Sequence, residues 1–63
     1  SVTVVHESAA RADALATALL VMGPDEGMAF AEREELAILM LIRTNGGIEE
    51  RQTAAFAKLR DIT

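Results

Sequence analysis

The chain has 63 residues and no cysteine, with 51% hydrophobic residues and a formal charge of −4. This length holds one domain at most, and a chain so short buries only about 60% of its unfolded surface. Without cysteine, neither a disulfide framework nor a thiolate metal site can stabilise it. The 6 basic residues are scattered, which argues against nucleic-acid binding because phosphate contacts need clustered Lys and Arg. The high apolar content predicts surface that packs against more protein.

Neither a signal peptide nor a membrane span is predicted. Residues 1–5 lack the basic segment that opens a signal peptide. The longest apolar run, residues 14–22, is interrupted by Thr17 and is far shorter than the roughly 20 residues that cross a bilayer. The chain starts without Met in a strand-like run, as expected for a fragment, a processed piece or a trimmed chain.

The first elements predicted are a strand and a helix. Residues 1–5 are short and mostly β-branched, which favours a strand. Ser8 can cap a helix over residues 9–22 because its hydroxyl accepts from a free N–H of the first turn. Gly23 is a typical residue for the end of that helix.

A second helix is predicted over residues 24–35. Pro24 suits its first turn, where the missing N–H does no harm. Gly27 lies inside this helix and is unfavourable there by about 1 kcal/mol relative to Ala. The charged residues 32–35 are interpreted as a solvated helix end.

The second half of the sequence predicts a hairpin and a C-terminal helix. Residues 36–42 are seven consecutive apolar residues, which favours a central strand buried on both faces, although the periodicity alone does not exclude a helix. Asn45-Gly46-Gly47 is typical of a turn. Residues 48–51 are predicted to pair back as an edge strand and 52–62 to form a helix with frayed ends. The order β-α-α-β-β predicts an α+β unit with helices on one face of a small sheet.

Asp13 and Thr17 are the most informative residues of the chain. Four residues apart, they share one face of the predicted helix, and the residues that follow Asp13 are apolar on nearly every side. Such a helix is normally buried, and a buried carboxylate needs a partner because an unpaired charge there is costly. The pair therefore predicts a ligand, an ion or a specific partner. The alternative is structural: Thr17 bonds back to the Asp13 carbonyl, and the carboxylate pairs with an arginine.

A magnesium site is one chemistry that fits these two side chains. Mg²⁺ prefers oxygen ligands and commonly uses one or two carboxylates together with substrate phosphates and water.

Two other features of the sequence predict no functional site. Nothing near His6 orients it as a base, so it is interpreted as solvated. Residues 23–27 lack the glycine spacing of a phosphate-binding loop.

Four strings of this chain resemble the C-terminal part of the ApbE family. They are S-V-T-V-V at 1–5, S-A-A at 8–10, A-D-A-L-A-T-A-L at 12–19 and V-M-G-P-D-E-G at 21–27. Residues 36–42 and the turn at 45–47 continue the resemblance more loosely. The resemblance implies that residues 1–63 are an incomplete C-terminal segment of a larger ApbE-like domain.

Members of this family are FAD:protein FMN transferases, long described as thiamine-biosynthesis lipoproteins. The resemblance implies Mg²⁺-dependent transfer of FMN from FAD to a Ser or Thr hydroxyl of a target flavoprotein, with release of AMP. Some members also act as FAD pyrophosphatases. In the family's A-D-x-x-x-T string, Asp and Thr supply oxygens to the metal, and the matching residues here are Asp13 and Thr17.

The family's His-Ile-x-Asp-Pro-x-Thr-Gly motif and most of its FAD-binding region are absent from these residues. No catalytic and no cofactor-binding residue is therefore predicted within the chain, and the piece alone is expected to be inactive. The partners implied are FAD, an N-terminal remainder or another chain, and a target flavoprotein, with a homo-oligomer as a further expectation. Family members are often exported and membrane-anchored, but no signal is visible here and the compartment stays open.

A second hypothesis is a non-catalytic α+β assembly module. Such a module would keep the scaffold without the chemistry and bury its apolar faces in an oligomer or against another chain. Asp13 separates the two hypotheses, because a pure module has no need for a carboxylate in an apolar helix.

Overall fold

The structure of the chain, a computed structural model, describes residues 1–62 as three strands and three helices. In chain order they are β1 (Val2–Val5), α1 (Ala9–Met22), α2 (Pro24–Arg33), β2 (Ala37–Thr44), β3 (Gly47–Gln52) and α3 (Ala54–Ile62). The sheet is antiparallel, with β2 between β1 and β3. The predicted α+β class and the predicted C-terminal helix are confirmed. Within these residues no helix is long and apolar enough to cross a membrane.

Both ends of α1 lie where the local sequence predicts them. The Ser8 hydroxyl accepts a hydrogen bond from the Arg11 N–H at 3.2 Å, which satisfies a free donor of the first turn. Gly23 ends the helix with φ +85°, a conformation that favours glycine, and its N–H donates to the Leu19 carbonyl at 3.1 Å. Pro24 then begins α2 directly.

Helix α2 ends at Arg33, two residues before the predicted end. Glu35 adopts the left-handed conformation with φ 56°, and its N–H donates to the Glu32 carbonyl at 3.1 Å. The Leu36 N–H donates to the Ala31 carbonyl at 2.9 Å. These two bonds form a Schellman termination with a non-glycine residue in the left-handed position. It turns the chain so that Leu36 packs against the core instead of continuing the helix.

The core lies between the sheet and the pair of helices α1 and α2. The sheet register pairs Val2 with Met40 and Val4 with Ile38, so these four side chains point to the same face. Within residues 1–62 the buried hydrophobic residues are Leu19, Ala31, Ile38 and Met40. Helices α1 and α2 therefore cover one face of the sheet, as predicted.

The prediction that β2 is buried on both faces is wrong for its second half. On the face opposite the core, Leu39 is half-buried and Leu41 is 38% exposed. Helix α3 covers part of this face, where the Arg60 guanidinium donates to Glu50 at 2.8 Å and to Gln52 at 3.1 Å. A nine-residue helix cannot cover the whole face, so the apolar run of β2 stays partly open.

Gly27 lies at the closest approach between α1, α2 and β2. A Cβ at this position would lie 2.9 Å from Met40 Cε and 3.2 Å from the Leu19 carbonyl oxygen. The missing side chain therefore lets Leu19 and Met40 pack against the backbone of α2. Glycine at position 27 is unfavourable for helix formation, but it permits this close packing, which the sequence alone does not reveal.

Thr53 is the buried polar residue that joins α3 to the sheet. Its hydroxyl donates to the Leu36 carbonyl at 2.6 Å and accepts from the Ile38 N–H at 3.0 Å. The same oxygen accepts from the Phe56 N–H at 3.3 Å and so caps α3, which begins two residues later than predicted. The Glu32 carboxylate also accepts from the Ala54 N–H at 3.2 Å, so this part of the charged run has a structural role.

We expect Gly27→Val to destabilise the chain by about 1–3 kcal/mol, because the new side chain overpacks the contact with Leu19 and Met40. The matched control is Ala29→Val, which adds a β-branched residue at an exposed position of the same helix. The measurement is the free energy of unfolding in urea. Equal effects of the two substitutions would contradict a packing role for Gly27.

Thr53→Val should cost about 1–3 kcal/mol, because it leaves the Leu36 carbonyl and the Ile38 N–H buried without their hydroxyl partner. Val has nearly the same shape as Thr, so the loss reports on hydrogen bonding. Thr3→Val, at an exposed strand position, is the control and should change stability by less than about 0.5 kcal/mol. Thermal unfolding followed by circular dichroism measures both, and a Thr53→Val effect no larger than that of the control would refute this role.

Candidate metal-binding face of helix α1

Asp13 and Thr17 both lie on α1, and the structure places both at the surface. Leu19 is the buried residue of this helix, and it points toward the core. At about 100° per residue, Asp13 lies about 120° and Thr17 about 160° from Leu19 on the helix circumference. The prediction that the pair is buried is therefore wrong for residues 1–62, because the sheet and α2 cover one side of α1 and leave the other side open.

Leu20 and Val21 share the open side with the polar pair. Their exposed fractions are 62% and 84%, and with Asp13 and Thr17 they span about 100° of the helix circumference. We call these four residues the outer face of α1. The sequence gives no sign of which side is open, since apolar residues occur all round the helix.

Thr17 makes the local hydrogen bond that the structural alternative predicts. Its Oγ1 donates to the Asp13 carbonyl at 3.1 Å. A hydroxyl that donates its proton keeps its oxygen lone pairs, so this bond leaves Thr17 able to accept or to ligate. The second half of the alternative, an arginine paired with the Asp13 carboxylate, is not seen in the described part of the chain.

The arginine that binds two carboxylates lies elsewhere, on β3. Arg51 reaches Glu49 at 2.9 Å and Asp25, at the start of α2, at 2.8 Å. The hydrogen bonds to Glu49 and to Asp25 raise the pKa of Arg51 above its ordinary value, so the guanidinium keeps its positive charge beside both carboxylates. This surface cluster joins the edge of the sheet to α2 and is separate from the outer face of α1.

His6 is exposed, and its ring is held by the backbone. The Ser8 N–H donates to His6 Nδ1 at 3.0 Å, so a neutral ring carries its proton on Nε2. Among residues 1–62 no side chain is seen to hydrogen-bond to the ring, which agrees with the interpretation of His6 as a solvated residue.

The donors on α1 fit part of a magnesium site. Asp13 supplies carboxylate oxygens and Thr17 a hydroxyl oxygen, both on consecutive turns and both accessible. Among residues 1–62, no group of three or more His, Cys, Asp or Glu side chains is close enough to hold a metal ion. The described residues can therefore contribute two ligands, and phosphate, water or further protein groups must complete an octahedral site.

Comparison with known proteins identifies relatives of the chain. The family model described as the ApbE family matches residues 1–40. A Vibrio cholerae protein named FAD:protein FMN transferase is 45% identical over 56 residues, which are 89% of this chain and 17% of that protein. A Haemophilus influenzae protein of the same name is 38% identical over 61 residues, covering 97% of this chain and 18% of that protein. The resemblance inferred from the sequence strings is confirmed.

Solved structures share the fold as well. The flavin transferase ApbE from Vibrio cholerae superposes with a TM-score of 0.87 at 42% identity, over 90% of this chain and 18% of that one. The apo form of the Pseudomonas stutzeri flavinyl transferase ApbE superposes with a TM-score of 0.88 at 45% identity, over 92% and 19%. The chain thus spans less than a fifth of the length of these relatives.

Because both side chains of the polar pair are exposed, neither should contribute much to the stability of the chain. We expect Asp13→Asn and Thr17→Val to change the free energy of unfolding by less than about 0.5 kcal/mol. Leu19→Ala, on the buried side of the same helix, should cost about 2–5 kcal/mol. Urea titrations measure the free energy of unfolding of the three variants. A large loss for Asp13→Asn would show that the carboxylate serves the fold and not a ligand.

Proposed function

The chain belongs to the ApbE family, and we propose that it is a C-terminal segment of an FAD:protein FMN transferase to which it contributes metal ligands. The reaction would move FMN from FAD to a Ser or Thr hydroxyl of a target flavoprotein. The hydroxyl oxygen bonds to the FMN phosphorus, the phosphoanhydride bond breaks, AMP leaves and the hydroxyl proton is released. Two transferases with this name, each more than 35% identical to the chain, support the proposal.

The observation that carries the proposal is the composition of the outer face of α1. It combines two oxygen donors, Asp13 and Thr17, with two exposed aliphatic side chains, Leu20 and Val21. A helix whose open side contacted only solvent would be polar on that side. Aliphatic residues beside oxygen donors favour a face that further protein covers and that then holds a ligand in a dry environment.

The two donors have distinct chemical parts in this proposal. The Asp13 carboxylate supplies a negative charge that attracts a divalent cation. Thr17 supplies a neutral oxygen whose direction is held by the hydrogen bond to the Asp13 carbonyl. When bound, Mg²⁺ neutralises charge on the pyrophosphate of FAD and stabilises the leaving phosphate. Packing of protein over Leu20 and Val21 would exclude water and strengthen these electrostatic interactions.

The catalytic motif of the family and most of its FAD-binding region are not among residues 1–63. We therefore propose that the segment acts together with an N-terminal remainder, in the same polypeptide or in another chain. The segment alone lacks the groups that would bind FAD and activate the acceptor hydroxyl.

The test compares the 63-residue chain with the longest natural polypeptide that contains it. We expect Mg²⁺-dependent FAD binding and FMN transfer from the long form only. Asp13→Ala should lower its apparent Mg²⁺ affinity at least about tenfold, because even residues that only support metal ligands contribute tenfold or more. Isothermal calorimetry measures binding, and flavin fluorescence of the acceptor protein measures transfer.

The matched control is Glu26→Gln, which removes an exposed carboxylate from α2 instead of α1. It should leave Mg²⁺ binding and transfer unchanged. If the long form binds neither Mg²⁺ nor FAD, or if Asp13→Ala behaves like the control, the metal role is refuted and the non-catalytic assembly module becomes the better hypothesis. FAD hydrolysis without transfer would assign pyrophosphatase activity instead.

A further inference from the structure

The turn between β2 and β3 holds the only asparagine of the chain. Asn45 is followed by Gly46 and Gly47, and all three residues are exposed. The side-chain amide of an asparagine can react with the backbone nitrogen of the next residue, and asparagine is for this reason a thermolabile residue. The reaction depends on the space around the next residue and on the hydrogen bonds that hold the two groups apart.

Gly46 offers no steric barrier to this reaction. A Cβ at this position would meet nothing within 4 Å, and the positive φ of the turn, +133°, falls on Gly47 instead. Without a side chain at position 46, rotation about the Cα–C bond of Asn45 brings the Gly46 nitrogen toward the side-chain Cγ. The attacking atom is therefore supplied by the chain itself, at an exposed position.

Both reacting groups are free of hydrogen bonds within the described part of the chain. Among residues 1–62, neither the Gly46 N–H nor the Asn45 side-chain amide is seen to bond to another protein group. The ends of the turn hold it instead, since Thr44 pairs with Gly47 and the Thr44 hydroxyl donates to the Gly47 carbonyl at 3.3 Å. These bonds close a two-residue turn without occupying the groups that react.

Gln52, the only glutamine of the chain, provides a contrast in the same hairpin. Its side-chain oxygen accepts from the Arg60 guanidinium at 3.1 Å. The N–H of the next residue, Thr53, donates to the Ile38 carbonyl at 3.1 Å. Both groups that would react are thus bonded, and the residue that follows is β-branched and restricts rotation.

The composition of the turn indicates that it stays at the surface in a longer polypeptide. Residues 43–47 include no hydrophobic residue, and Arg43 places a charge beside the turn. The outer face of α1 differs, because exposed Leu20 and Val21 favour cover by further protein. Loop tips of small and polar residues are commonly exposed.

We propose that Asn45 is a site of spontaneous deamidation in which Gly46 supplies the nucleophile. The Gly46 nitrogen bonds to the Asn45 Cγ, the Cγ–N bond of the side-chain amide breaks, and ammonia leaves with the proton of the Gly46 amide. Water then opens the cyclic imide, giving its hydroxyl to one carbonyl and its proton to the nitrogen. Opening at Cγ yields aspartate. Opening at the backbone carbonyl yields isoaspartate, in which the chain continues through Cβ and Cγ.

Both products alter the hairpin and leave the core in place. Each adds one negative charge to the formal charge of −4, which gives −5. Isoaspartate also adds one atom to the backbone of the two-residue turn, which disturbs the pairing of Thr44 with Gly47. The buried residues Ile38 and Met40 precede Thr44 by four residues or more along β2, so the core should remain intact.

Mass spectrometry of the longest natural polypeptide that contains the chain, aged in buffer near neutral pH, tests the proposal. Trypsin releases residues 44–51 with Asn45 and residues 52–58 with Gln52. We expect peptide 44–51 to gain about one dalton with time and to separate into aspartate and isoaspartate forms on chromatography. Peptide 52–58 should gain no mass. An unchanged peptide 44–51, or an equal gain in both peptides, would overturn the proposal.

The rate distinguishes reaction of the folded turn from reaction of the unfolded chain. A synthetic peptide of residues 44–51 gives the rate without any folded structure. We expect Asn45 in the folded protein to react within about a hundredfold of that rate, because loop tips open at almost no cost in free energy. Any slower rate would overturn the proposal, since a site that reacts only after global unfolding is slowed at least about a thousandfold.

Gly46→Val separates attack by the backbone from direct hydrolysis of the amide. The open space at position 46 accepts the new side chain, whose β-branching restricts the rotation that the reaction needs, so the rate should fall at least about tenfold. Thr44→Val is the matched control, because it introduces the same residue on the side of Asn45 that does not enter the ring, and it should leave the rate unchanged. Equal rates for the two variants would overturn the proposal. No readout depends on Mg²⁺ or FAD, so failure here is distinguishable from failure of the transferase assignment.

Discussion

The contact of Leu19 with Gly27 and Met40 determines how the rest of the molecule is arranged. At this point α1, α2 and β2 meet, and the absence of a side chain at Gly27 permits the close approach. Insertion of Leu19 fixes the rotation of α1 about its axis. Asp13 and Thr17 must then point away from the core, because they lie about 120° and 160° from Leu19 around the same helix. This packing contact thus determines that Asp13 and Thr17 lie at the surface of the chain.

The polar groups around this core are satisfied within the chain. Thr53 connects β2 with α3 through both its hydroxyl and its backbone, and the Glu32 carboxylate completes the start of that helix. Among the described residues, no buried side-chain nitrogen or oxygen lacks a hydrogen-bond partner. A small core with satisfied polar groups gives the segment a defined shape, and it lets the segment present its open surfaces in fixed positions.

The open side of α1 meets the start of β1 at a cleft. Leu20 of the outer face of α1 lines this cleft together with Ser1 and Val2. The chain spans less than a fifth of its relatives, and the structural match to ApbE flavin transferases covers nearly all of it. Under the proposed function the chain is a segment of a larger enzyme, and such a segment leaves open the surfaces that the rest of the enzyme covers. This accounts for exposed aliphatic residues beside Asp13 and Thr17 without any role for them in the segment's own stability.

The sequence by itself determined the features that depend on neighbouring residues. Ser8 and Gly23 set both ends of α1 through local hydrogen bonds and a left-handed φ, and the spacing of Asp13 and Thr17 set their shared face. Only the tertiary structure decided whether this shared face points to the core or to solvent. A helix that is apolar on every side has no preferred buried side until another element packs against it. The left-handed turn at Glu35 and the place of Gly27 depend likewise on distant partners. Each of these features depends on a contact between elements that are far apart in the chain, and local propensity does not encode such contacts.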